Sequence, residues 1–254
     1  MILFTLFFVG LSILVLAGCG ADPTPRLVDL VGPEAVEPKG PLPQPEEWTR
    51  ASKIGLMVYS DATAQGAAPA LSPEYLETLT RRTENFLKQR CAFQEVLNVP
   101  QPSQPGTFSQ VLKIQGQHLQ VPYHVVVVLS SREQASPEKI GEATMMTQMS
   151  GTVVENSAMA EVGVLRGSDL TIVLLAQGKG TEYLEQLDVP IGRNQPSAEE
   201  AREIMRAQAA QQALDRALES VATVCQKGKS ERSCVTCSFR IAGRGQSPRF
   251  SDVS

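Results

Sequence analysis

Histidine and tryptophan are scarce in this chain of 254 residues, which contains two histidines, His118 and His124, and one tryptophan, Trp48. So few imidazole groups leave little material for a histidine-rich metal site or for a serine–histidine or cysteine–histidine nucleophile pair. Neither histidine lies in an HExxH motif. We interpret both as structural histidines, exposed or packed, and we expect Trp48 to pack on the edge of a domain.

Motifs for nucleotide and acyl chemistry are also missing. The sequence has no GxxxxGKS/T loop, no GxGxxG after a strand and no GxSxG elbow. Its formal net charge of −4 argues against a nucleic-acid partner, for which a strongly basic face is expected. We therefore expect a protein that is not an enzyme, with no cofactor and no metal.

Charged side chains are absent from residues 1–18, an apolar run that closes at Leu16-Ala17-Gly18-Cys19. An apolar N-terminal run with small residues before a cut site is typical of a secretory signal. The four residues resemble the bacterial lipobox. The resemblance implies a signal peptide over 1–18, cleavage after Gly18 and acylation of Cys19, palmitate included. An uncleaved anchor is the alternative, because eighteen apolar residues nearly span a bilayer.

The lipobox also predicts a location. Acylation of Cys19 would anchor the mature chain in a membrane of the bacterial envelope, facing the periplasm. Gly20 follows the cysteine where an Asp would favour the inner membrane, so resemblance to enterobacterial sorting favours the outer membrane. Residues 20–50 contain seven prolines, and we expect no packed element there. The sequence thus predicts a tether over 19–51, spanning roughly 30 Å as coil and about 100 Å as polyproline.

Residues 52–227 have the patterns of one α/β domain. Strands are predicted over 53–59, 93–99 and 123–129, helices from Ser72 to Cys91, from Thr107 to Pro122 and from Ser197 to Gly228, and a hairpin over 158–166 and 170–177. Alternating strands and helices indicate parallel strand pairing in the first half of the domain, whereas the hairpin indicates α+β organisation in the second half. We expect a mixed sheet in a two-layer or three-layer domain with a long C-terminal helix. The basic tail over 228–254 is predicted to be disordered.

This order of elements, with the segments HVVVVLSS and AEVGVLRGSDLTIVLLAQGKG, resembles the α/β domain of the TolB amino-terminal domain, curli-secretion lipoproteins and penicillin-binding-protein activator lipoproteins. Rhombotarget lipoproteins have a similar layout. The resemblance covers about residues 52–226. It implies the fold and an envelope location more than an activity, since these families are mostly adaptors or assembly factors.

Polar side chains follow two of the predicted parallel strands. They are Ser60, Asp61, Ser130, Ser131 and Arg132. Ligands of open α/β sheets bind in the crevice at the carboxyl ends of the strands, so these residues mark a possible small-molecule site. Every strand must nevertheless end in a polar loop, and that is the simpler interpretation.

Two further clusters have an ordinary explanation. Soft thioether ligands for Cu(I) are offered by Met145, Met146, Met149 and Met159. Methionine also fills gaps in cores, which we favour here. A second cluster is acidic and contains Glu182, Glu185 and Asp188. It suits a carboxylate pair for glycoside or metal chemistry, but we predict a solvated turn of helix over 183–188.

Cysteines offer the most specific structural prediction. With Cys19 acylated, an even set of four remains for an oxidising compartment, and four cysteines allow three pairings. Cys234-x-x-Cys237 lacks the following His of a haem site and the second CxxC of a zinc site. Because Cys91 and Cys225 each close an amphipathic helix, we favour the pairs Cys91–Cys225 and Cys234–Cys237. Each pair requires Cα atoms roughly 4.4–6.8 Å apart.

The sequence as a whole favours a binding protein. We expect an envelope lipoprotein attached to the lipid bilayer through Cys19 that acts as a non-enzymatic adaptor or assembly factor on a protein partner. The alternative is a periplasmic small-molecule or copper-binding module that uses the strand-end crevice or the methionines, and a hydrolase is third.

Overall fold

Five strands form one mixed sheet. The computed structural model describes residues 23–36, 47–102, 104–140, 149–187 and 197–241. The strands are β1 (Lys53–Asp61), β2 (Glu95–Asn98), β3 (Tyr123–Ile140), β4 (Met149–Arg166) and β5 (Ile172–Leu187), in the spatial order β2-β1-β3-β4-β5. β1 pairs in parallel with β2 and β3, and β3, β4 and β5 are antiparallel. The predicted α/β class with a mixed sheet is confirmed.

Helices cover both faces of this sheet. They are α1 (Leu27–Val31), α2 (Pro73–Phe86, continued by a π turn over Leu87–Cys91), α3 (Phe108–Leu119) and α4 (Ala198–Ile241). One face packs on α2 and α4 and the other on α1 and α3, so the domain has three layers. Strand β1 and residues 124–130 of β3 are buried on both sides, which explains their nearly continuous apolar sequences. Of the described helices, none is both long enough and apolar enough to cross a bilayer.

Ser72, Thr107 and Ser197, the polar residues at which three helices are predicted to begin, differ in whether they cap the helix. The hydroxyl of Ser197 accepts a hydrogen bond from the N–H of Glu200 at 3.2 Å, as an N-cap should. Ser72 and Thr107 make no such bond, and the Thr107 hydroxyl donates instead to the carbonyl of Gln104 at 2.8 Å. Helices α2 and α3 begin where the sequence predicts, but of these three helices only α4 has an N-cap side chain that accepts a hydrogen bond.

Three antiparallel strands continue beyond the point where β1 ends. β1 pairs with β3 as far as Asp61 and Ser130, and residues 131–140, 149–158 and 180–187 then extend the sheet alone. We call this three-stranded extension the arm. Helix α4 covers one face of it, where Arg206 donates to Glu133 at 2.9 Å and Gln212 donates to Glu182. The arm corrects the prediction of a helical turn over 183–188, since β5 continues to Leu187.

Close contact between α4 and β5 depends on two glycines. A Cβ added at Gly178 would lie 2.1 Å from the carbonyl oxygen of Ala213, and one at Gly180 would lie 2.1 Å from that of Ala209. The helix backbone thus rests directly on the strand, as the alanine-rich helix face suggests. Arg216 donates to the backbone carbonyl of Lys179. This bond covers a polar group on the outermost strand of the sheet.

A disulfide joins α2 to α4, as predicted from the positions of its cysteines. Cys91 and Cys225 are bonded, with their Cα atoms 5.0 Å apart. Trp48 packs as expected, although it is fully buried and stacks on Phe93 with ring centroids 5.5 Å apart. The side chains of Cys234 and Cys237 lie outside the described residues, so their pairing stays a prediction.

Two segments predicted to lack packed structure are ordered in part. The backbone of α4 continues to Ile241, so the prediction of a disordered tail is wrong as far as that residue. In the predicted tether, residues 27–31 form α1, and Leu27 is fully buried. The prediction of no packed element over 20–50 is therefore wrong for residues 27–35. Apolar side chains at Leu27, Leu30 and Val31 recur at helical spacing, and burying them outweighs the prolines around them.

Candidate functional site at the carboxyl ends of the parallel strands

The sheet brings Asp61 and Ser130 together at the ends of β1 and β3, as the sequence predicts. Both are buried. The other predicted crevice residues serve the surrounding loops: the Ser60 hydroxyl accepts from the N–H of Leu71 at 3.1 Å, the carbonyl of Ser131 accepts from the N–H of Ala68 at 2.8 Å, and Arg132 donates to the carbonyl of Gln65 at 3.0 Å. Each of these three residues thus meets a partner from its own chain.

Residues 23–36, which we call the strap, occupy the crevice that the sequence marks as a possible small-molecule site. Arg26 Nε donates to Asp61 Oδ2 at 2.8 Å, and Thr63 donates to Asp61 Oδ1 from its N–H at 3.0 Å and from its hydroxyl at 2.6 Å. Burial alone would raise the pKa of Asp61, but the hydrogen bonds from Thr63 and Arg26 outweigh it. The pKa of Asp61 is therefore lowered from its ordinary value.

A second buried carboxylate binds the backbone of the strap. Glu161 lies in β4 and is 1% exposed. Its Oε2 accepts from the N–H of Arg26 and from the N–H of Leu27, the latter at 2.9 Å. Its Oε1 accepts from Gln177 Nε2 at 3.3 Å. Two of these three donors belong to the strap, so the strap supplies most of the polar contacts that allow a charge to be buried here.

The apolar part of the same site is shaped by a missing side chain. A Cβ added at Gly163 would lie 2.3 Å from Cδ2 of Leu27, so the leucine side chain would have to shift if residue 163 carried one. Leu30 and Val31 of the strap pack with Phe108 and other buried residues on this side of the sheet. Asp61, Glu161 and Gly163 thus define a groove, the strap groove, that holds an arginine, two backbone N–H groups and a leucine.

Sequence reasoning missed Glu161, Gly163 and the strap. A signal was present, because Glu161 and Gly163 interrupt an otherwise apolar strand, where a charge needs a partner and a glycine marks a close approach. Nothing local in the sequence indicates that the partner lies 134 or 135 residues earlier, at Leu27 and Arg26.

His124 has a different environment from the strap groove. It is fully buried on β3, opposite Gly55 of β1, and neither ring nitrogen has a hydrogen-bond partner among the described residues. A Cβ would lie 2.5 Å from its Nδ1 if added at Gly55 and 2.6 Å from its Nε2 if added at Gly116. Burial lowers the pKa of His124 to about 4. The ring is therefore a neutral packing group, whereas His118 is exposed.

The predicted methionine and carboxylate clusters are only partly described. Met159 is 4% exposed and lies in β4, whereas Met145 and Met146 lie outside the described residues, as does Asp188. Glu182 and Glu185 stand three residues apart on one strand and so point to opposite faces of the arm. Within the described ranges, no group of three or more His, Cys, Asp or Glu side chains is placed to hold a metal ion.

The arm has one face that no described element covers. Because side chains alternate along a strand, Tyr183 and Glu185 of β5 point away from α4, and their cross-strand neighbours Glu155 and Val153 of β4 do the same. Tyr183 is 62% exposed. This face therefore presents a phenol ring and a valine between two carboxylates.

No family model matches the chain, and no curated protein matches it. Among solved structures it is similar to a putative neuraminyllactose-binding hemagglutinin homolog from Helicobacter pylori, at 11% identity and TM-score 0.36 over 78% of this chain and 96% of that one. It is also similar to hypothetical protein CT253 from Chlamydia trachomatis, at 12% identity and TM-score 0.35 over 69% and 98%. Lipoprotein GNA1162 from Neisseria meningitidis matches at 10% identity and TM-score 0.28 over 60% and 92%.

Proposed function

We propose that the chain is a lipid-anchored protein of the bacterial cell envelope, facing the periplasm from the outer membrane, and that it acts without enzymatic activity by binding a protein partner. The anchor is Cys19 of the sequence Leu16-Ala17-Gly18-Cys19. The Cys91–Cys225 bond supports this location, because disulfides persist in oxidising compartments such as the periplasm.

A protein partner is favoured over a small molecule by the state of the strand-end crevice. Asp61, the residue best placed to bind a ligand there, is already bonded to Arg26 and Thr63. The Ser60 hydroxyl is bonded to the loop at Leu71. A small molecule would have to displace the strap before it could reach these groups.

The proposal rests on the face of the arm that no described element covers. Tyrosine is enriched at protein interfaces because its ring buries a large apolar area while its hydroxyl stays hydrogen-bonded. Tyr183 stands on this face with Val153 beside it and with Glu155 and Glu185 around it. We infer a partner surface with an apolar pocket for the Tyr183 ring and basic side chains for the two carboxylates.

A photocrosslinker in place of Tyr183, in intact cells, tests the proposal. Ile114 on α3 is the matched control, because it is also 62% exposed and lies on the body of the domain. We expect one reproducible protein adduct from position 183 and none from position 114, and we expect Tyr183→Ala to prevent recovery of the same partner. No adduct at 183, or equal adducts at both positions, would contradict a partner-binding arm.

A further inference from the structure

We propose that the strap is a releasable segment that sets how far the domain stands from its membrane. With the strap docked, the domain is held close to the bilayer, and with the strap released it hangs on a long proline-rich tether. This inference rests on the proposed acylation of Cys19, but docking of the strap can be measured without it.

The docked strap leaves only a short stretch of chain between Cys19 and the folded domain. Pro23 is buried at the start of the strap, so only three residues separate Cys19 from the folded domain. Four residue steps reach at most about 14 Å. If the strap leaves its groove, the chain from Cys19 to the next described helical turn at Glu47–Arg50 is free. That stretch spans about 30 Å as coil and up to about 90 Å as polyproline.

The strap groove has two carboxylates at its base. Asp61 and Glu161 are buried, but they are charged groups whose strap contacts are donated by Arg26 and the first N–H groups of α1. A permanent core rarely contains such groups, because burying an unpaired charge is costly. In an open groove water solvates both carboxylates. The strap groove can therefore exist with the strap docked or released. Exposing a purely apolar groove to water would cost more free energy.

The strap is held in its groove by few contacts. Helix α1 has five residues, and a helix of that length does not persist without its packing contacts. No disulfide among the described residues joins the strap to the domain, and the linker that follows contains Pro38, Pro41, Pro43 and Pro45. Docking of the strap thus depends on the contact between Leu27 and Gly163 and on the hydrogen bonds to Asp61 and Glu161. Substituting one of these residues should therefore favour release of the strap.

Energy transfer from the domain to the bilayer tests the inference. The full acylated chain, with a fluorescent amino acid at exposed Gln65 beside the groove, is reconstituted into phosphatidylethanolamine–phosphatidylglycerol vesicles that contain an acceptor-labelled lipid. We expect strong transfer for the unmodified strap and weaker transfer for Leu27→Asp, because release should roughly double the reach of the chain between Cys19 and the folded domain. Gly163→Ala should act in the same direction from the other side of the contact.

Val36→Asp is the matched control, since Val36 lies in the strap but is 54% exposed. It should keep the transfer of the unmodified strap. Circular dichroism and a cooperative urea unfolding transition show whether each variant is folded. Because Leu27→Asp and Gly163→Ala change opposite sides of the contact, a folded form of either suffices for the test.

Hydrogen exchange separates docking from anchoring. In a Cys19→Ser chain, the amides of Arg26, Leu27 and Leu30, which donate hydrogen bonds in the docked strap, should be protected. Leu27→Asp should speed exchange at positions 26 and 30 by about tenfold or more. Equal energy transfer in the unmodified and released chains would overturn the inference, and so would rapid exchange in the unmodified strap. If the unmodified chain, with Cys19 intact, carried no acyl group and failed to bind vesicles while its strap exchanged slowly, the proposed anchor and not the docking of the strap would be overturned.

Discussion

The imidazole of His124 lies so close to Gly116 that a Cβ on the glycine would come within 2.6 Å of Nε2. The ring joins β3 to α3 without a hydrogen bond to either nitrogen among the described residues. A charged imidazolium has two N–H donors, and this site offers no described acceptor for them, so the neutral ring is the form that the fold accepts.

Acid should therefore destabilise the domain through His124. Its pKa is about 4 in the fold against 6.5 ordinarily, so the unfolded chain binds more protons between these values. The contribution of His124 is fully present above pH 6.5 and is lost as the pH falls toward 4, by about 3 kcal/mol in all. Urea unfolding at a series of pH values measures this loss. His124→Leu should flatten the profile over this range.

The disulfide should be a major source of stability. Cys91 and Cys225 are 134 residues apart, and closing so long a loop restricts the unfolded chain. We expect the double variant Cys91→Ser, Cys225→Ser to lose about 3–5 kcal/mol of unfolding free energy. Reductant should produce a similar loss in the unmodified chain and no further loss in the double variant. A further loss there would mean that another disulfide supplies part of the stability.

Much of the fold could be predicted from the sequence because its signals are local. The apolar runs of β1 and β3, Ser72 and Ser197 before their helices, and the turn at Gly167 each act over a few residues. The Cys91–Cys225 pair could be chosen because each cysteine closes a helix with an apolar face, and two such helices pack on the same sheet.

The arm could not be predicted in the same way. Its part of β3 contains Pro137 and several polar residues, a composition that argues against a central strand. Beyond Ser130, however, β3 has lost its neighbour β1 and has become an edge strand, where a proline is tolerated. Whether a strand is central or at an edge depends on where β1 ends, which the β3 sequence does not contain.

The strap groove could not be predicted for a similar reason. Seven prolines in residues 20–50 dominate the local pattern, and Leu27, Leu30 and Val31 are too few to outweigh them in a sequence window. The groove that accepts these side chains is made by Gly163 and Glu161, far along the chain. Only the folded sheet places that groove next to Asp61, one of the residues that the sequence marked as a possible ligand crevice.

Substitution of Gly180 should show how closely α4 and β5 are packed. A methyl group there would lie 2.1 Å from the carbonyl oxygen of Ala209, a backbone atom that cannot rotate away. We expect Gly180→Ala to lower the unfolding free energy by about 1–3 kcal/mol, because helix or strand must shift. Gly106→Ala is the control, since no atom lies within 4 Å of a Cβ added there. Equal stability of the two variants would mean that α4 packs less closely than described.

Acylation of Cys19 should decide whether the chain is attached to its membrane. Each buried acyl methylene contributes about 0.8 kcal/mol, and one chain anchors only marginally, so two or three chains should hold the protein permanently. Growth with an alkyne-labelled palmitate analogue should label the unmodified chain, which should need detergent for extraction. Cys19→Ser should abolish the label. If the variant were unlabelled, uncleaved and still in the membrane fraction, residues 1–18 would themselves be the anchor. The docked strap would then begin only a few residues beyond that anchor, so its effect on the position of the domain would persist without any lipid on Cys19.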